Sequence, residues 1–235
     1  MRRDSKTDNW KSKQQARLKY KERQVNKFID WSVKQKGYLK LKELEDLEDD
    51  FLPEVFLNKM EEYLVNFKEI NTEHKKFWVM EAEDPFMDYV INKISSIEGR
   101  EIINILSFFR LATDTLDTEW RIHCDSIINN QVPERAIVLY MNNTELNKIN
   151  GTAFWDHNEW GKSLPMKDLS SDIYNNLILN DSNDIEKWNI NTIIGNKKNR
   201  LLSYPCNYFH SKYPNKAWKN GRKVFVMFYK TNQIK

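Results

Sequence analysis

The chain has four histidines, and two of them, His123 and His210, fall in segments patterned as strands, WRIHCDSI and NRLLSYPCNYFH. Successive side chains of a strand point to opposite faces, so His123 and Asp125 share one face and Cys124 takes the other. An imidazole and a carboxylate two residues apart can grip one ion together, and His210 is the best candidate for a third donor. Two imidazoles and one carboxylate on one side of an ion form the donor set for O2 chemistry at non-heme Fe(II), because adjacent coordination positions stay open. The pair alone is weak, since chance places about 0.27 His-x-Asp pairs in a chain of this composition. Arg222, twelve residues after His210, adds weight. It follows the turn signal Asn220-Gly221 and opens the strand RKVFVMFYK, where Val224, Val226 and Phe228 share its face. An arginine there costs desolvation unless an anion pairs with it, and a dicarboxylate would supply one through bidentate hydrogen bonds. The plain alternative is a strand-end arginine reaching water.

These residues need a rigid frame. After Trp120 the sequence breaks into short apolar runs, WRIHCDSI, RAIVLYMN, GTAFWDH, NRLLSYPCNYFH and RKVFVMFYK, separated by Asn, Gly and Pro turn signals. Before it, from about residue 41 to 118, the pattern is helical. Pro53 follows the acidic run Glu48, Asp49, Asp50, as suits a helix start, and Phe56, Met60, Tyr63, Leu64 and Phe67 recur at three- and four-residue steps. Further helices are expected near Pro85 (PFMDYVINKI) and Glu101 (EIINILSFFRL). The polar stretch 158–184 lies between strands and is expected to fold over the mouth of the barrel and determine substrate choice. His157 is expected to be a rim or hydrogen-bonding residue, His74 a surface residue, and Cys124 and Cys206 inert buried thiols.

The 235 residues are 40% hydrophobic, 13% aromatic and 30% charged, enough for a sizeable core and against disorder throughout. No run of about 18 uncharged apolar residues exists, so no membrane span is expected. Two cysteines make neither a disulfide framework nor a four-cysteine zinc site, and a cytoplasmic location is expected. Net charge is +3, concentrated in residues 1–27, whose ten Lys/Arg against three Asp/Glu leave the remainder mildly acidic. A protein basic throughout for nucleic acid is excluded, while this tail offers a patch for a weak acidic or nucleic-acid partner. The expected organisation is a basic, partly helical extension over 1–40 and one domain over 41–235, with helical support in 41–118 and a β-rich core in 119–235.

The order His123-x-Asp125, LYMN, GTAFW, His210 and Gly221-Arg222 resembles the Fe(II)/2-oxoglutarate-dependent dioxygenase superfamily, in its prolyl-4-hydroxylase-like branch, over about residues 119–230. The resemblance implies a mainly β fold: a double-stranded β-helix (jelly roll, cupin-like) core preceded by a helical N-terminal half, with the metal at its open end. It implies His123, Asp125 and His210 as iron ligands and Arg222 as partner of the distal carboxylate of 2-oxoglutarate. It also brings Tyr140, in LYMN, to that carboxylate. The reaction implied is a hydroxylation consuming O2 and 2-oxoglutarate and releasing succinate and CO2. Several relatives carry Ser or Thr two residues after the arginine, whereas this chain has Val224; Asn142 and Thr152 are the candidate replacements. Asp125, a true carboxylate, argues against the halogenating subgroup.

Two other readings stand beside this one. A non-oxidative metal-binding jelly roll would use the same three donors without needing Arg222. A non-catalytic binding module would act through residues 1–27. The substrate itself, peptidyl, nucleobase or small molecule, is not specified by the motifs.

Overall fold

The computed structural model of the chain describes residues 46–71, 76–144, 150–169, 171–215 and 218–232. All of them belong to one unit spanning residues 43–235; the expected extension over 1–40 and His74 lie outside the described residues. Among the described residues ten strands and three α-helices follow in order: β1 (Asp46–Glu48), α1 (Glu54–Tyr63), β2 (Lys68–Asn71), β3 (Lys76–Met80), α2 (Asp84–Glu98), β4 (Ile102–Ala112), β5 (Arg135–Tyr140), β6 (Gly151–His157), α3 (Asp172–Asn176), β7 (Trp188–Gly195), β8 (Leu201–Pro205), β9 (His210–Tyr213) and β10 (Arg222–Thr231). The strands form an antiparallel seven-stranded sheet, β1-β8-β5-β10-β4-β3-β2, and a three-stranded sheet, β7-β6-β9. An isolated bridge between His123 and His210 continues the small sheet past β9. From β4 onward the chain runs large sheet, small-sheet bridge, large (β5), small (β6, β7), large (β8), small (β9), large (β10). That alternation is the double-stranded β-helix, or jelly roll.

The large sheet is apolar on both faces. Phe225, Met227 and Tyr229 of β10 pack with Ile137 and Leu139 of β5 against Phe86, Val90 and Ile94 of α2. Their alternates Val224, Val226 and Phe228, with Ala136, Val138 and Tyr140, meet Phe154 and Ile194 of the small sheet. Helix α2 starts with Pro85 in its first turn and ends at Gly99, whose φ of 65° lets its N–H reach the carbonyls of Ser95 and Ser96.

The structure corrects three sequence expectations. EIINILSFFRL is strand β4, paired with β10 and β3; residues apolar toward two layers give a continuous run that imitates a buried helix segment. The described residues of the support region therefore hold two helices and four strands rather than helices alone. WRIHCDSI contributes only the bridge at His123, the left-handed Arg121 (φ 47°) interrupting extended backbone before it. NRLLSYPCNYFH is two strands in different sheets, parted after Pro205. Strand β7, WNINTIIG, was not expected at all. Among the described residues no helix is long and apolar enough to cross a membrane.

Candidate metal centre and its cavity

The His123–His210 bridge is reciprocal, each backbone N–H donating to the other's carbonyl at 3.1 and 2.7 Å. It sets the two imidazoles side by side, with ring centroids 4.6 Å apart. Asp125 is turned to the same side and held there by its own N–H, which donates to the Cys206 carbonyl at 2.8 Å. Both rings are oriented by one local device: Nδ1 lies 2.6 Å from the Arg121 carbonyl in His123 and 2.9 Å from the Tyr208 carbonyl in His210. A carbonyl only accepts, so each Nδ1 carries the proton and each Nε2 presents a lone pair. The Nε2 atoms lie 3.7 and 3.9 Å from the two Asp125 oxygens, and the three ligand atoms fall within 4.8 Å of one another. Those gaps are too long for hydrogen bonds. Burial drives the His210 pKa down to about 4, against the opposing Tyr208 carbonyl, so this imidazole is neutral at physiological pH. Neutral, pre-oriented nitrogens and one carboxylate fit a divalent ion.

Arg222 enters the same cavity from the first position of β10 and is 6% exposed. Its Nη2 donates to Thr152 Oγ1 at 3.3 Å, its guanidinium carbon lies 5.4 Å from the Tyr140 ring centroid and 5.7 Å from that of Trp218, and its Nε is buried without a hydrogen-bond partner. Burial opposes its charge, yet a guanidinium does not lose its proton in a protein. The orphaned donor fits a carboxylate. The Tyr140 hydroxyl donates to Thr152 Oγ1 at 2.8 Å, and burial raises its pKa. Thr152, on β6, thus supplies the hydroxyl beside the arginine where the last strand has Val224. Asn142 is committed elsewhere, bonding the backbone of Gly221 and Lys223.

The cavity has a volume of about 660 Å3. Leu106 and Phe108 of β4 with Val226 and Phe228 of β10 form an apolar wall, and the three donors and Arg222 lie toward its polar end. That end also holds three cations missed in the sequence, Arg110, Arg121 and Lys212, gathered around the buried Asp117. Arg121 Nη1 lies 2.8 Å and Lys212 Nζ 3.6 Å from Asp117 Oδ1, and Arg110 bonds its other oxygen. Burial works to raise the Asp117 pKa, but Arg110, Lys212 and Arg121 outweigh it and hold the carboxyl below its ordinary value. Burial pushes the Lys212 ammonium down to about 7, with Asp117 opposing. One of these cations was legible: Lys212 stands two residues after His210 on β9, on the ligand face, whereas the left-handed Arg121 breaks that alternation before His123.

His157 is buried in a structural role, its Nε2 3.3 Å from Asp181 Oδ2 and its Nδ1 accepting from the N–H groups of Glu159 and Trp160. Cys124 and Cys206 are buried free thiols, and burial pushes the Cys124 pKa up to about 12. No described residue of the segment 158–184 lines the cavity, against the expectation of a lid. It packs behind the His123 segment instead: Tyr174 donates to the Cys124 carbonyl at 3.2 Å, and Ile122 N–H to the Ser182 carbonyl at 2.9 Å.

No protein-family model matches the chain, and no curated protein matches it. Solved structures do. HygX from Streptomyces hygroscopicus, with nickel, 2-oxoglutarate and hygromycin B bound, is similar at a TM-score of 0.53 and 9% identity, over 80% of this chain and 83% of that one. SnoN, a non-heme alpha ketoglutarate dependent epimerase from nogalamycin biosynthesis, is similar at 0.52 and 9%, over 80% and 78%. A Pseudomonas putida prolyl-4-hydroxylase reaches 0.47 and 10%, over 80% and 93%. At such identities the likeness to HygX and SnoN is one of fold, in agreement with the jelly roll.

Proposed function

We propose that the protein is an Fe(II)- and 2-oxoglutarate-dependent oxygenase acting on an unidentified substrate, with His123, Asp125 and His210 holding the metal. The observation that carries this reading is the buried Arg222 guanidinium, with an orphaned Nε, in the same cavity as the His-Asp-His donors. A non-oxidative metal site would have no use for it. Bound there, iron with 2-oxoglutarate supplies O2-dependent oxidation coupled to decarboxylation, giving succinate and CO2. The chain does the positioning: the Arg121 and Tyr208 carbonyls fix the ring tautomers, and Thr152 and Tyr140 orient Arg222 toward the distal carboxylate. The apolar wall of β4 and β10 keeps water from the reacting end. HygX, of the same fold, binds 2-oxoglutarate with nickel, which supports the cosubstrate.

Anaerobic titration of Fe(II) into the purified chain with 2-oxoglutarate present tests the reading. The expected result is a weak visible charge-transfer band that is lost in His210→Ala, with 2-oxoglutarate affinity reduced at least about ten-fold in Arg222→Ala. Metal binding with no band and no dependence on Arg222 would replace this reading with the non-oxidative jelly roll.

A further inference from the structure

We propose that the Tyr204 hydroxyl is a hydrogen-bond donor to the metal-side, 2-oxo acid end of the cosubstrate, the counterpart of Arg222 at the distal carboxylate. The proposal deepens the reading above and rests on it for the presence of iron and 2-oxoglutarate in the cavity.

Hydrogen bonding is the first argument. Among the described residues that line the cavity four carry hydroxyls: Ser107, Thr152, Tyr204 and Ser211. Three of them are committed within the fold. Ser107 donates to Met87 Sδ at 3.4 Å and accepts from Asn104 Nδ2 at 3.1 Å. Thr152 accepts from Arg222 and Tyr140. Ser211 accepts from Trp155 Nε1 at 2.9 Å and donates to the Lys212 carbonyl at 3.0 Å. The Tyr204 hydroxyl has no hydrogen-bond partner among the described residues, although the residue is only 2% exposed. A phenol keeps its proton at neutral pH, so this oxygen is a donor facing the cavity. A tyrosine buried so deeply normally bonds its hydroxyl, and here the acceptor has to come from what fills the cavity.

Position is the second argument. Tyr204 stands on β8 opposite Ala136 of β5, and Ala136 shares the cavity face of that strand with Val138 and Tyr140. Its ring lies against Phe154 at 5.2 Å and against His210 at 4.7 Å between centroids. Tyr204 therefore reaches the cavity beside the metal donors, on the sheet face that also carries Tyr140 and Arg222. Burial leads the effects that raise its pKa, and Asp125 adds to them while Arg222 opposes; the phenol lies within the field of both ends of the site. A 2-oxo acid held between the metal and Arg222 spans the same two ends. Its distal carboxylate meets the guanidinium. Its other carboxylate, sharing one oxygen with the metal, keeps a second, and a buried anionic oxygen without a donor is costly. The Tyr204 hydroxyl supplies that donor, while Arg110, Arg121 and Lys212 gather on Asp117 instead.

The test is anaerobic titration of the Fe(II)-loaded full chain with 2-oxoglutarate, followed by the visible charge-transfer band. It is run on the parent, Tyr204→Phe, Arg222→Gln and the double variant. Tyr204→Phe keeps the ring beside His210 and removes only the donor. It should weaken 2-oxoglutarate about five- to ten-fold and displace the band maximum, with Fe(II) affinity within about two-fold of the parent. Arg222→Gln should weaken 2-oxoglutarate and leave the maximum in place, because it acts at the far carboxylate. The double variant should multiply the two losses to within about two-fold, as independent contacts do. Urea unfolding of the ligand-free Tyr204→Phe chain should keep the parent midpoint, since no protein hydrogen bond is lost. An unchanged band and affinity in Tyr204→Phe, a double variant no weaker than Arg222→Gln, a loss shared equally with Fe(II), or a lowered urea midpoint would each overturn the proposal. A parent chain that binds Fe(II) but shows no band would overturn the oxygenase reading and this one with it. A parent band indifferent to Tyr204→Phe overturns this one alone.

Discussion

Thr152 is the residue through which two others act. Its hydroxyl accepts from both Arg222 and Tyr140, so neither the guanidinium nor the phenol is free to swing when the cavity fills. Thr152→Val keeps the side-chain shape and removes the acceptor, leaving Tyr140 its 3.4 Å approach to the Ile194 carbonyl and its contact with Arg222. The expected outcome is a 2-oxoglutarate affinity weakened about three- to ten-fold, with metal affinity unchanged and Thr152→Ser restoring most of the loss. Isothermal titration of both ligands separates these effects. Equal weakening of the metal would mean that Thr152 supports the strand rather than the arginine. The sequence offered Thr152 only as one of two candidate hydroxyls, because partners contributed by different sheets have no fixed spacing. His123, Asp125 and Arg222 were legible for the opposite reason: each sits on a two-residue repeat or at a turn.

At the scale of elements, what was legible followed the contrast between faces. Strands β5, β6 and β10 are bounded by clear turn residues, and their spans agree with RAIVLYMN, GTAFWDH and RKVFVMFYK. Strand β4 lacked that signal because helices cover one of its faces and the cavity the other, and β7 lacked it because Asn189 and Asn191 face outward in a polar neighbourhood. The junction of β6 and β7 depends on one backbone approach. A Cβ on Gly151, whose φ is +155°, would lie 2.0 Å from the Ile194 carbonyl oxygen and 2.8 Å from the Asn196 nitrogen. Gly151→Ala should therefore cost roughly 3 kcal/mol in urea unfolding, and Gly195→Ala, with only Arg200 Nη1 at 3.9 Å from its new Cβ, less than about 1 kcal/mol. Comparable costs would show that crowding at Gly151 is relieved by movement. A second junction ties the chain after β1 to Arg200, whose Nε and Nη2 bond Asp49 at 2.6 and 3.0 Å. The Arg200 hydrogen bond leads the effects that lower the Asp49 pKa to about 2. With the folded value below the unfolded one, this stabilisation is complete above about pH 4 and is lost as pH falls toward 2. Asp49 is 38% exposed, so the contribution is about 1 kcal/mol after solvent screening. Asp49→Asn should lose that amount at pH 6 and differ progressively less from the parent protein below pH 4.

Across the whole molecule the large sheet works as a partition. Its strands send alternate residues to two cores: Phe225, Met227 and Tyr229 to the helical side, Val224, Val226 and Phe228 to the cavity side. The helices therefore stabilise the sheet from behind, and no described residue of α1 or α2 lines the cavity. Phe86 of α2 is the centre of that rear layer, 2% exposed, with ring centroids 4.9 Å from Phe225, 5.1 Å from Phe109 and 6.3 Å from Phe56. Phe86→Ala empties a site ringed by other side chains and should cost about 3–5 kcal/mol in stability. Because the sheet stands between this cavity and the other one, Fe(II) and 2-oxoglutarate affinities of the folded protein should stay within about two-fold of the parent. Phe228→Ala, on the opposite face of the same sheet, should reverse the pattern by altering what the cavity accepts, since Phe228 is part of its wall. Urea unfolding and ligand titration on the two variants measure both quantities. If Phe86→Ala weakened metal binding as much as it lowered stability, the sheet would transmit strain from one face to the other, and helices and metal centre would be one mechanical unit rather than two.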